Sequence, residues 1–217
     1  AREGVKVVIL DSLYANEERK TASEKVARAM LEDILVTRGN EKKGIIVTTF
    51  SSHIARLKSL TDFGRKIDRE VVFFGRSLNK YISAATKVNL CPFRNEIKIA
   101  SYRNQLDKLL KKINEKREDY MLVCTGHQGE PGSILDRLTR NKLPFQFRNQ
   151  DQVIFASSII PVTINIENRE KMDVRLKSRG VRIYNNVHVS GHPGREDLRD
   201  LIGMVQPEHI IPGHAGH

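Results

Sequence analysis

Gly44-Ile45-Ile46-Val47-Thr48-Thr49-Phe50-Ser51-Ser52-His53 passes from an unbroken apolar run into a cluster of hydroxyls. A short β-branched run that follows a glycine reads as a strand buried on both faces. Ser51 and Ser52 stand where they can cap a helix beginning near His53, with Ile54, Leu57 and Leu60 turned inward. A strand that feeds a helix through a short loop is the repeating unit of a parallel sheet covered by helices.

The same unit recurs on either side. Val7 to Leu10 reads as a buried strand. Thr21 and Glu24 have the spacing of a capping box, and Val26, Met30 and Ile34 share one face of the helix after it. Downstream, strands are expected at Val71–Phe74, Ile97–Ala100, Met121–Cys124, Val153–Ala156, Val181–Tyr184 and His209–Pro212. Leu106, Leu109, Leu110 and Ile113 recur with helical spacing on an otherwise basic segment, and Leu198, Leu201, Ile202 and Val205 mark a last helix. The fold class is therefore α/β: a Rossmann-like, mostly parallel sheet with helices on both faces.

Lys and Arg number 37 against 26 Asp and Glu, a net charge of +11. That excess favours a polyanionic partner, nucleic acid ahead of an anionic membrane surface, because no basic amphipathic helix with exposed aromatics stands out. A solvated Lys/Glu surface of the heat-adapted kind accounts for the charge equally well. No apolar run is long enough to span a bilayer, so no membrane partner is expected. Cys91 and Cys124 lie far apart and form no CxxC pair, which argues against a disulfide framework and suits a cytoplasmic protein.

In open α/β sheets ligands gather beyond the carboxyl ends of the strands. Four loops qualify. Thr48 to His53 offers hydroxyls and helix N–H groups to a phosphate, or simply caps its helix. Cys124-Thr125-Gly126-His127-Gln128-Gly129-Glu130-Pro131-Gly132-Ser133 is rich in glycine, which lets a backbone approach a ligand or merely turn tightly. His188-Val189-Ser190-Gly191-His192-Pro193-Gly194 is a loop, and Pro212-Gly213-His214 follows the closing strand. Imidazoles on adjacent strand ends can bind zinc or carry protons, and Asp11 joins them if its strand is a neighbour.

Taken in order, these loops resemble the β-CASP branch of the metallo-β-lactamase superfamily, and within it the ribonuclease J family of archaeal type. The resemblance rests on Asp11-Ser12, Ser23-Glu24, Thr49 to Ser52 with Arg56, Thr125 to Pro131, His188 to His192 and Pro212 to His214. It implies a two-zinc phosphodiesterase that degrades single-stranded RNA from a 5′-monophosphate end, in the 5′-to-3′ direction, often with endonucleolytic ability. By position it implies catalytic roles for Asp11 and His192, with Asp11 partnering the imidazole that protonates the leaving group. It makes His214 a metal ligand and assigns RNA and phosphate binding to Ser51, Ser52, His188, Ser190, Gln128, Gly129 and Glu130.

The family's His-x-His-x-Asp-His signature and the Asp of its Gly-Asp-Phe-like motif are not in this chain, Asp11-Ser12-Leu13-Tyr14 departs from the usual Asp-Ser-Thr-Asn, and His127 stands where Ser is common. The resemblance thus implies a piece of a longer enzyme, inactive by itself, holding its Zn2+ ions at most in part. The implied domains are residues 1–19 as the end of a metallo-β-lactamase segment, 20–182 as the β-CASP domain and 183–217 as a return segment. A homodimer is compatible with this reading. Two rivals stand beside it: an RNA-binding module without catalysis, and an endonuclease of the mRNA 3′-end cleavage-factor type.

Overall fold

A computed structural model describes residues 4–37 and 42–215. Residues 1–3, 38–41 and 216–217 lie outside that range. In chain order the elements are β1 (Val7–Asp11), α1 (Glu24–Glu32), β2 (Ile45–Thr48), α2 (Ile54–Lys66), β3 (Glu70–Phe74), α3 (Arg76–Lys87), β4 (Ile97–Ala100), α4 (Arg103–Glu115), β5 (Tyr120–Cys124), α5 (Ile134–Thr139), β6 (Gln152–Phe155), α6 (Thr163–Lys177), β7 (Arg182–Tyr184), α7 (Arg195–Val205) and β8 (His209–Gly213). Packing divides them into two compact units. The first joins Ala1–Val26 to Val189–His217, and the second is Ala27–His188. No helix among the described residues is long and apolar enough to cross a membrane.

The second unit is a six-stranded sheet in the order β4-β3-β5-β2-β6-β7, with every pairing parallel. Its central strands β2, β5 and β6 are buried at every position and largely apolar because both faces are covered. Alternate side chains feed two cores. Ile45, Val47, Val71, Phe73, Met121 and Val123 meet α1, α2 and α3, while Ile46, Val72, Phe74, Leu122 and Cys124 meet α4, α5 and α6. A fully buried aliphatic or aromatic side chain contributes about 2 kcal/mol through removal from water. The chain runs from β2 through β3 to β4 towards one edge and from β5 through β6 to β7 towards the other. Such reversals leave a crevice at the carboxyl ends of the strands, and the loops after β2, β3 and β5 stand there.

A buried ion pair lies at the opposite end of the sheet. The Arg117 guanidinium and the Asp151 carboxylate pair at 2.5 Å with only 1% of either side chain exposed. Asp151 also accepts from the backbone N–H groups of Gly44 and Arg148, each at 2.8 Å. A buried charge is tolerated only with such complete pairing.

The first unit holds β1 and β8 in a two-stranded parallel sheet, with Val7 opposite His209 and Asp11 opposite Gly213. Here the expectation of a buried strand fails: Val7 is 46% and Ile9 73% exposed, because one partner strand cannot cover both faces. Two further expectations need correction. In α1 the inward side chains are Ala27 and Leu31, one position on from the exposed Val26 and Met30. Thr21 is not the cap of α1, which begins at Glu24; its hydroxyl donates to the His192 carbonyl at 2.7 Å. The helix α6 has no counterpart in the sequence reading, since Ile164, Ile166 and Val174 are exposed and blur its apolar stripe.

Candidate metal centre and phosphate-facing loops

Parallel pairing sends the carboxyl ends of β1 and β8 to the same side, so Asp11 and His214 emerge together. The loop before α7 brings His192 to them. Nδ1 of His192 lies 2.5 Å from Oδ2 of Asp11, and Nδ1 of His214 lies 3.6 Å from Oδ1. The two imidazole rings meet edge to face at 4.9 Å between centroids. One ligand atom from each of the three residues falls within 4.8 Å of the others.

The hydrogen bond with His192 and the N–H of Leu13 hold the Asp11 carboxyl below its ordinary range. An ionised carboxylate can only accept, so Nδ1 of His192 carries the proton it shares, and Nε2 is left to face a ligand. One carboxylate and two imidazoles form a donor set suited to a borderline divalent ion. They fit one ion, but three residues supply too few donors for two.

Tyr14, Asp197 and Ser190 hold this loop. The ring of Tyr14 stands edge-on to His192 at 5.9 Å. The Asp197 carboxylate accepts from the N–H groups of Thr21 and Gly194, which fixes the entry to α7. Ser190 accepts from the His192 N–H at 3.2 Å, so its hydroxyl braces the imidazole's own backbone. Asp197 also suits the positive end of α7, within whose first turn it lies.

The remaining candidates belong to the second unit. Ser51 and Ser52 do not cap α2. The cap is His53, whose Nδ1 accepts from the Arg56 N–H at 3.1 Å. Relieved of that duty, Ser51 meets the hydroxyl of Ser77 at 3.0 Å, and both serines line a cleft with Tyr81, Thr125 and Glu130. Arg56, fully buried below, donates to the carbonyl of Ala156. His188 ends this unit and is half-buried.

Gln128 is buried and its amide is engaged at both ends. Nε2 donates to the Ser158 carbonyl at 3.0 Å, and Oε1 accepts from the Ile160 N–H at 2.8 Å. Glu130 accepts from the Gln128 N–H. Gly129 has φ +77, and a Cβ there would stand 2.5 Å from the backbone nitrogen of Arg169 in α6. These three residues therefore shape the loop. Beside them, burial and the nearby Arg169 guanidinium push the His127 imidazole down to about 4.

Comparison with known proteins follows the same lines. Residues 42–171 match the family described as Ribonuclease J, beta-CASP domain. The chain belongs to the ribonuclease J β-CASP family. Residues 179–216 match the Zn-dependent metallo-hydrolase RNA specificity domain, which points to a metal cofactor for the ribonuclease J family to which the chain belongs. The chain is 43% identical over 214 residues to the ribonuclease J of Pyrococcus abyssi, covering 99% of the chain and 47% of that protein. With the ribonuclease J of Methanocaldococcus jannaschii the identity is 42% over 215 residues, covering 99% and 48%. With that of Thermus thermophilus it is 29% over 221 residues, covering 98% of the chain and 36% of that protein. The chain thus spans about half the length of the first two relatives.

Proposed function

We propose that this chain is part of a zinc-dependent ribonuclease that degrades single-stranded RNA from a 5′-monophosphate end, with endonucleolytic cutting as a secondary ability. The observation that carries the reading is the meeting of Asp11, His192 and His214 at paired strand ends in a chain of this family. Residues near 20–182 act as the β-CASP domain, and the flanking segments are pieces of the metallo-β-lactamase core. Two metal ions, when bound, supply Lewis acidity at the scissile phosphate. Asp11 accepts from Nδ1–H of His192 and orients the ring. In its doubly protonated form the ring passes its Nε2 proton to the departing oxygen. His214 is one metal ligand. Ser51 and Ser52 receive the terminal phosphate in a cleft that the Gln128–Glu130 loop keeps in shape, and His188 and Ser190 each bind RNA backbone.

Among the described residues three donors meet, so the chain alone binds zinc in part and binds RNA without cutting it. In the whole protein, His192→Ala and His214→Ala each lower decay of 5′-monophosphorylated RNA by about a hundred-fold or more, the scale of losing a proton donor or a ligand. Wild-type rates in both variants reject the assigned roles. Equal rates on 5′-hydroxyl and 5′-monophosphate RNA remove the terminal pocket from the proposal. The cationic surface favours one rival, an RNA-binding module; metal-loaded whole protein that binds RNA without releasing nucleotides establishes that rival instead.

A further inference from the structure

A second cleft, of about 820 Å³, opens in the sheet unit beyond the carboxyl ends of β3, β4 and β5. Arg76 follows β3, Arg103 follows β4 and Arg137 follows β5, and all three line it with Tyr102, Ser77 and Ser101. No carboxylate is among its lining residues. Among the described residues neither Arg76 nor Arg137 has an acidic partner, and Arg103 has only a loose contact with Asp107 at 3.8 Å. The cleft around Arg65 and Arg69 differs, because Asp68, Glu70 and Glu96 share it and Arg65 pairs with Glu96 at 2.8 Å.

Three guanidinium groups that line one cleft with no carboxylate in its wall repel one another until an anion joins them. The planar fork of each matches the oxygens of a phosphate. Tyr102, 71% exposed at the rim, offers the flat face on which an unpaired base stacks. The cleft is also continuous with the one that contains Ser51 and Ser52, since Ser77, Thr125, Gly132 and Ser133 line both. We infer that this cleft is a second RNA site, in which Arg76, Arg103 and Arg137 hold phosphodiester groups of a single strand and Tyr102 stacks one of its bases. This rests on the RNA-processing reading above and adds to it a track along the sheet edge.

The test is anisotropy titration of the chain, in chelator to prevent cleavage, with a labelled single-stranded 12-mer bearing a 5′-monophosphate. Binding of a 5′-phosphorylated dinucleotide is followed by competition. Arg76→Ala/Arg103→Ala weakens the 12-mer by about ten-fold or more and lowers the salt slope by about two, while dinucleotide affinity stays within about two-fold. Arg137→Ala and Tyr102→Ala each weaken the 12-mer by about five-fold or more. The Lys-bearing pair Arg76→Lys/Arg103→Lys keeps most of the affinity, and Lys171→Ala/Lys177→Ala on α6 removes equal charge with little effect. Unchanged 12-mer affinity in Arg76→Ala/Arg103→Ala overturns the cleft and leaves the RNA reading standing. An equal loss in the α6 pair overturns it as non-specific attraction. A poly-glutamate peptide of matched charge that competes as well as RNA overturns it in favour of an acidic protein partner. If wild-type chain binds neither RNA, the reading beneath fails and the cleft with it.

Discussion

Asp151 gathers three donors in a place with almost no water: the Arg117 guanidinium and the N–H groups of Gly44 and Arg148. Asp151→Asn preserves the shape but leaves the Arg117 charge uncompensated and sets an amide N–H against a donor. Breaking one side of a buried pair costs about 3–5 kcal/mol. Urea unfolding is expected to show a midpoint lowered accordingly, with an unchanged slope. His127 makes a different prediction. Its folded value of about 4 lies below the 6.5 of a free imidazole, because burial and Arg169 penalise the cation. Neither ring nitrogen has a hydrogen-bond partner among the described residues. The unfolded chain therefore takes up a proton first as pH falls. The stability contribution is whole above about 6.5 and is lost on descent to about 4, amounting to about 3 kcal/mol at most. Melting of wild type and His127→Gln between pH 7.5 and 4 checks this: the difference between them should shift across that window, and parallel curves would refute it. Asp11 and His214 were legible because each stands at a strand end, and His192 because its His-Val-Ser-Gly-His loop carries the family resemblance. Thr21 and Asp197 were not, because the bond between them joins positions 176 residues apart.

At the scale of elements, the apolar runs within β2, β3 and β5 announced themselves, because strands buried on both faces are largely apolar. The edge pair β1 and β8 looks the same in sequence and is exposed, since a run of apolar letters does not say how many layers cover it. The helix α6 escaped notice because it buries Arg169, Met172 and Leu176 while leaving isoleucines in solvent. Its fit against the β5 loop depends on Gly129. An alanine there must adopt φ +77, which costs about 1 kcal/mol, and must also displace the α6 backbone. Gly129→Ala is expected to lower stability by more than about 2 kcal/mol and to speed amide exchange around Arg169. A melting temperature equal to wild type would show that the approach is looser than the geometry says. The serines of the β2 loop carry the converse lesson: the sequence allowed capping or ligand binding, and His53 takes the capping role.

For the whole molecule, the distribution of buried apolar side chains sets the order in which parts open. The sheet unit holds both large cores. In the unit formed by the two chain ends, Leu10 and Leu198 are the buried hydrophobic side chains among the described residues. Local opening is cheapest where few apolar contacts are lost. Amides of β1 and β8 are therefore expected to exchange at least about ten-fold faster than those of β2 and β5. The cluster of Asp11, His192 and His214 sits at the carboxyl ends of that weaker pair, so an ion that binds the folded site and not the open one must protect both strands together. Addition of zinc in excess of its dissociation constant should slow exchange in β1 and β8 and leave β2 and β5 unchanged. His214→Ala should abolish the protection even though the strand pairing persists. Uniform slowing across both sheets would instead mean that zinc acts elsewhere, and no slowing at all would mean that the three donors do not hold an ion in this chain.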